Sequence, residues 1–258
     1  MKIARTVLNG ESGSNAADLH NSLLGINCRV VAMENSIFET LLELPFFQGM
    51  GRSDVIQIMN SLPLKTKSVP AGRNIVMQNE NCQHLIFILK GTSRIVTQAE
   101  QHLFTMSERI QGPAVIQPEA LFGIYPHYRS TYQAQTEVWM INIPKSAALQ
   151  IIATYDIFRL NYLNYLSSII FKKQRPCWNI LPGESLEQRI VRFILQHIQY
   201  PAGEKTLTIR MIDLADILND TRINVSQSLN RMQKEGKLIL KRKEIIIPSI
   251  EKLADITN

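Results

Sequence analysis

The sequence predicts an α+β chain: a small β-barrel or sandwich, a long helix, and a C-terminal winged helix-turn-helix. Three observations predict it. From about Leu64 to Pro144 short apolar stretches alternate with turns, at a spacing of roughly ten residues that suits a barrel or sandwich. From about Ser146 to Lys173 apolar residues recur at helical spacing on two faces. From Leu214 to Leu229 two short helical patterns flank a tight turn, and a charged hairpin follows.

Residues 1–35 form a poorly specified extension, since Gly10, Ser12, Gly13, Ser14 and Asn15 break any pattern. Met1 to Asn15 hold no hydrophobic stretch, so no secretory signal is expected. Met33 stands just before Ser36–Leu42, which has helical spacing, and is a candidate translation start. Residues 36–145 are the β-rich domain. Its strand candidates are Asn74–Met77, His84–Leu89, Arg94–Thr97, Leu103–Met106 and Val138–Ile141, with Gly72, Gly91 and Gly112 between them.

Residues 146–175 are the long helix. Phe158, Tyr162, Leu166 and Ile169 form one stripe; Leu160, Leu163 and Ile170 form a second. A helix apolar on two faces must bury both, so one of them needs a partner outside the β-domain. Pro176 and Leu181-Pro182-Gly183 interrupt the pattern, and residues 174–184 read as a hinge. Residues 185–258 are the winged helix-turn-helix domain. Ser185 and Gln188 suit a capping box, ahead of a helix whose apolar face is Leu186, Ile190, Phe193, Ile194 and Ile198.

In the helix-turn-helix itself, Ala215 is the small residue where the two helices touch. Asn219 is the turn residue tolerant of left-handed geometry. Thr221 is the N-cap of the second helix, and Val225 and Leu229 point inward. A plain helical hairpin is the competing reading. The outward positions of the second helix are Arg222, Ile223, Ser226, Gln227, Asn230 and Arg231. In a major groove Arg222 can pair bidentately with guanine and Gln227 with adenine, while Ser226 and Ile223 suit a base edge or a thymine methyl. Thr221 and the helix N-terminus suit a phosphate. Lys241, Arg242 and Lys243 join two short strands and suit backbone phosphates. Asn230 and Lys234 read as solvated surface.

Charge points the same way. The chain carries 28 Lys+Arg against 22 Asp+Glu, a net +6. Between Arg222 and Lys243 stand seven bases and one acid, Glu235, while the remaining 21 bases and 21 acids cancel. The entire excess lies in one stretch, which suggests a polyanion partner, nucleic acid first, with a solvated basic face as the equal alternative on charge alone.

Other classes fit poorly. Apolar residues are 45% and charged residues 19%, ordinary for a globular chain. The densest apolar run, Leu85–Leu89, is far short of the ~20 residues of a membrane span. Three scattered cysteines, Cys28, Cys82 and Cys177, fit a reducing cytoplasm and fall short of an iron–sulfur ligand set. His20, His84, His102, His127 and His197 show no ligand spacing, so no metal or cofactor is expected. No Ser/His/Asp set, phosphate loop or carboxylate pair stands in a catalytic context, so the chain does not read as an enzyme.

The order of these parts resembles the Crp/Fnr family of bacterial transcription regulators, over about Ser36 to Leu253. The carriers are Leu44-Pro45-Phe46-Phe47, Val69-Pro70-Ala71-Gly72, Ile88-Leu89-Lys90-Gly91, Glu119-Ala120-Leu121-Phe122-Gly123 and Thr221–Ser226. The resemblance implies a jelly-roll-like double-stranded β-helix as sensor, of the cyclic-nucleotide-binding type. It also implies a dimerisation helix, a homodimer that reads near-palindromic double-stranded DNA, and RNA polymerase as a further partner. The implied effector residues are Glu119, Phe122, Gly123, Arg129 and Ser130. Glu119 matches the family's ribose-holding glutamate, and Arg129-Ser130 match its phosphate-holding pair. Pro118 falls where the family has glycine, and Pro118 supplies no N–H. Ile124–Tyr128 are also bulky where the pattern is compact. Cyclic AMP in the familiar mode is therefore not expected, and the effector stays unassigned. A structural ion pair between Glu119 and Arg129 inside the roll is preferred to any bound ligand. Two further readings are a cyclic-nucleotide-responsive activator with an altered pocket, and a protein-interaction module that does not bind DNA.

Overall fold

The structure, a computed structural model, describes residues 37–61, 65–99, 103–173, 183–200 and 202–254. The proposed extension over 1–35, the Met33 start and most of the 174–184 hinge lie outside the described residues. The chain divides between Thr40 and Leu41 into two units, and the second holds both the β-rich region and the C-terminal helices.

Helix α1 covers residues 37–43, as the Ser36–Leu42 spacing predicts. Pro45–Phe47 then make a single 3-10 turn that buries Phe46 and Phe47. Helix α2 is Arg52–Ser61. Eight strands follow: β1 Lys65–Val69, β2 Asn74–Val76, β3 His84–Lys90, β4 Thr92–Gln98, β5 Phe104–Gln111, β6 Ala114–Ile116, β7 Thr131–Ala134 and β8 Val138–Pro144. They fold as the jelly roll that the resemblance implies. One sheet runs β1-β8-β3-β6, and β4, β5, β7 and β2 belong to the other. Gly91 joins β3 to β4 at φ +106, and a Cβ there would stand 2.4 Å from the Glu137 carbonyl oxygen, so no larger residue fits.

The predicted long helix is two helices, α3 Lys145–Thr154 and α4 Asp156–Lys173, parted at Tyr155, whose backbone is extended. Helix α4 turns the start of its first stripe inward and leaves the end half-buried, at Leu166 and Ile169. Phe158 and Tyr162 are buried, and Phe158 lies 5.8 Å from Phe46 and 5.3 Å from Phe47, centroid to centroid. Asn161 reinforces the seam by donating to the carbonyls of Phe46 (3.2 Å) and Gln48 (2.8 Å). The second stripe stays bare: Leu160, Leu163 and Ile170 are each more than half exposed.

The C-terminal region comprises α5 Leu186–His197, β9 Lys205–Ile209, α6 Met211–Ile217, α7 Arg222–Lys234, β10 Ile239–Lys241, β11 Glu244–Ile247 and α8 Ile250–Ala254. Ser185 and Gln188 form the expected reciprocal capping box. The second sheet does not stop at the roll. Its full order is β10-β11-β9-β5-β4-β7-β2, so wing and roll share one seven-stranded sheet.

Candidate nucleic-acid interface

The turn between α6 and α7 is built as its residues dictate. Asn219 takes φ 50, and the Asp220 amide closes the turn on the Ala215 carbonyl at 3.0 Å. Thr221 caps α7, its Oγ1 accepting from the Asn224 amide at 3.2 Å. Val225, Leu229 and Met232 are buried against the cluster that holds Leu214, Ala215 and Leu218. With that face inward, Thr221, Arg222, Ile223, Asn224, Gln227 and Asn230 are exposed and Ser226 is half-buried. The wing turn of Lys241, Arg242 and Lys243 is exposed, with Lys243 at φ 64.

The basic stretch is not uniformly free. Arg231 pairs with Glu187 of α5 (3.1 Å) and donates to Ser228 Oγ, so its guanidinium braces α7 against α5 rather than standing ready for a base. Lys237 pairs with Glu235 at 2.6 Å. Arg222, Lys234, Lys241, Arg242 and Lys243 have no ion-pair partner among the described residues. Four of these five are at the start of α7 and in the wing.

One contributor is absent from the sequence reading. Asp220 Oδ1 accepts from the Thr221 amide and from Asn224 Nδ2, both at 2.8 Å, and Oδ2 accepts from Arg189 of α5. These bonds, that from the Asn224 side chain foremost, hold the Asp220 carboxyl below its ordinary range. Asn224 is thereby tied to the turn. Arg210 likewise grips Asp213 with two bonds of 2.6 Å and lowers its carboxyl pKa at the start of α6. The only local sequence signal was an Asp directly ahead of a Thr N-cap.

The effector residues lie in the roll. Pro118–Ala120 form a 3-10 turn, entered by Gln117 in a left-handed backbone at φ 32. Gln117 is buried. Its Oε1 accepts from the Arg129 amide (2.9 Å) and its Nε2 donates to Ser130 Oγ (3.3 Å). Ser130 Oγ also bonds Thr97 Oγ1 at 2.6 Å. The hydroxyl and amide matched to the phosphate-holding pair are therefore already occupied from within the chain. No ion pair joins Glu119 and Arg129 among the described residues: Arg129 is exposed and Glu119 half-buried, which corrects the ion-pair reading. Phe122 is half-buried against Tyr162 (5.9 Å) with Lys145 Nζ 5.4 Å from its ring, and Gly123 is exposed at φ 124. The Tyr162 hydroxyl donates to the Pro118 carbonyl at 2.6 Å, linking this turn to α4. Burial pushes the Tyr162 hydroxyl pKa up.

Among the described residues no group of three or more His, Cys, Asp or Glu could hold a metal, and no helix is long and apolar enough to cross a membrane. Cys82 is buried, and its thiol donates to the His84 carbonyl at 3.6 Å.

A jelly roll joined through helices to a helix-turn-helix with an exposed basic wing defines a helix-turn-helix regulator architecture. Comparison with known proteins makes that specific. The family model for a cyclic nucleotide-binding domain matches residues 66–155, and that for a Crp-like helix-turn-helix domain matches residues 188–256. Together they cover more than half of the chain, which belongs to the Crp/Fnr family of transcription regulators. Among solved structures, the Thermus thermophilus catabolite activator protein is similar at 16% identity, covering 82% of this chain and 97% of its own, with a TM-score of 0.44. DNR from Pseudomonas aeruginosa is 18% identical over 84% of this chain and 96% of its own, TM-score 0.41. A second Thermus thermophilus protein, a transcriptional regulator of the Crp/Fnr family, is 18% identical over 74% of this chain and 97% of its own, TM-score 0.38. No curated protein matches the sequence.

Proposed function

We propose that the chain is a cytoplasmic, sequence-specific DNA-binding transcription regulator that acts as a homodimer on a near-palindromic site. The carrying observation is the coincidence of a capped helix with an exposed outward face and an adjacent wing of three bases that have no ion-pair partner among the described residues. Arg222 and Gln227 supply bidentate readout, Ile223 and Ser226 read a methyl or base edge, and Thr221 with the wing meets phosphates. Arg231 enters the interface only if it releases Glu187. The bare stripe of α4, Leu160, Leu163 and Ile170, is the surface for the twin subunit, since large exposed apolar residues in a row need cover.

Cyclic AMP is not held in the usual mode. Gln117 supports this, because it engages the Arg129 amide and Ser130 hydroxyl that a cyclic phosphate would use. An altered nucleotide pose is the second reading, favoured by Glu119 and Arg129, each without an ion-pair partner among the described residues.

Footprinting on the DNA upstream of the protein's own operon tests the main reading. A protected, sequence-specific site is expected, and its absence with or without nucleotides would count against it. Calorimetry with cyclic AMP and cyclic GMP tests the pocket: no heat is expected at high protein concentration, and binding would favour the second reading.

A further inference from the structure

Strand β5 has the helix-turn-helix region on its far side. It pairs antiparallel with β9 from Phe104↔Ile209 to Glu108↔Lys205. The pairing is backed by shared packing. Phe104 and Met106 of β5 belong to the same buried cluster as Ile190, Phe193, Leu207, Leu214 and Val225. The Phe104 ring lies 5.2 Å from Phe193 and 4.8 Å from His197. Two residues of the roll thus complete the core under the recognition helix.

At the end of this ladder sits an ion pair without solvent. Lys205 Nζ stands 3.1 Å from Glu108 Oε2, and both side chains have 0% exposure. Glu108 also accepts from the Gln199 amide (2.7 Å) and the Tyr200 amide (3.0 Å), the two residues that leave α5. Lys205 donates to the Ala202 carbonyl at 2.7 Å. The Tyr200 hydroxyl reaches back into the roll and donates to the Val115 carbonyl at 2.6 Å. A buried pair of this kind adds little net stability compared with apolar residues, but it enforces one geometry, because every misplacement leaves a charge unpaired.

We propose that Glu108 and Lys205 are positioning residues for DNA binding: with the β5–β9 ladder they lock the recognition helix onto the roll in one orientation. The outward face of α7 is uncovered in this arrangement, so the lock presents the helix instead of masking it. Freeing the domain would leave every DNA contact chemically intact, yet binding would then have to order the domain as well. The proposal rests on the DNA-binding reading for its affinity arm only.

The test uses the full chain, E108Q and K205M. Amide hydrogen exchange is followed on β5, β9, Gln199 and Tyr200, with β3 and β8 as internal reference, alongside DNA affinity as a function of salt. In the wild type the β5 and β9 amides should be protected like those of an interior ladder. Each variant should exchange there about a hundredfold faster while β3 and β8 are unchanged. DNA affinity should fall about tenfold with the salt slope preserved, since no phosphate contact is lost. Should E108Q disturb β3 and β8 as well, K205M decides alone, as it leaves Glu108 its two amide donors. Unchanged β5 and β9 exchange, or unchanged or tighter DNA binding in K205M, overturns the proposal. A wild type that binds no DNA defeats the regulator reading instead, and the exchange data still judge the lock.

Discussion

Replacing Lys241, Arg242 and Lys243 together with glutamine should change how DNA binding depends on salt. All three are exposed at the wing tip and none has an ion-pair partner among the described residues, so each charge is available to a phosphate. The tip turn is held by backbone, the Ile209 amide donating to the Lys243 carbonyl at 3.0 Å, so losing the charges leaves the hairpin intact. Each neutralised phosphate adds about −0.9 to the slope of log affinity against log salt, so the three bases of each wing, about six in the homodimer, add about −5.4. Between about 50 and 200 mM salt the logarithm of concentration changes by about 0.6, so the wild-type dimer should lose roughly 2,000-fold more affinity than the variant over that range. Fluorescence anisotropy with a specific and a scrambled duplex measures both slopes. The variant should weaken on both duplexes alike and keep its preference. An unchanged slope would refute phosphate contact by the wing, and a changed preference would refute its assignment as sequence-neutral.

Three further outcomes follow from the same structure. Gln227→Ala should cost about 1–3 kcal/mol on the best site and relax one base position, read by competition with single-substituted duplexes. Leu163→Glu, on the bare face of α4, should shift the protein from dimer to monomer in sedimentation velocity without unfolding it, because that side chain is 54% exposed in the single chain. Asp220 makes the recognition turn acid-sensitive. Its folded pKa is lowered, chiefly by the Asn224 bond, so its contribution is complete above the unfolded carboxylate value of about 3.9 and is lost as pH falls through the folded value. Denaturant unfolding of D220N should therefore depend on pH less steeply than wild type below about pH 4 and identically between about pH 5 and 7.

What was legible in the sequence was local. Asn219, Thr221, Val225 and the Ser185–Gln188 box each act within one turn of chain, so their spacing alone places them. The five apolar strand candidates all became strands for the same reason. Lys65–Val69 carries no apolar run, since Thr66, Lys67 and Ser68 are polar and exposed and the buried Val69 comes only at its end; pairing with β8 supplies the rest. The break at Tyr155 carried no Gly or Pro to announce it. Arg231 read as a free base because Glu187, which holds it, sits on another helix. Gln117 gave no sign at all: a lone polar residue after β6 becomes a plug only once the fold brings Arg129 and Ser130 alongside. The β5–β9 ladder was hidden in the same way, since the register between two distant strands is set by burial on both and by the turns that deliver them.

Selection of binding sites from random duplexes by the 258-residue chain should enrich an inverted repeat whose half-site centres lie about 34 Å, one helical turn, apart. Each half-site should offer a guanine to Arg222 and an adenine to Gln227. Enrichment of a single half-site, or of no sequence at all, would contradict sequence-specific binding as a homodimer.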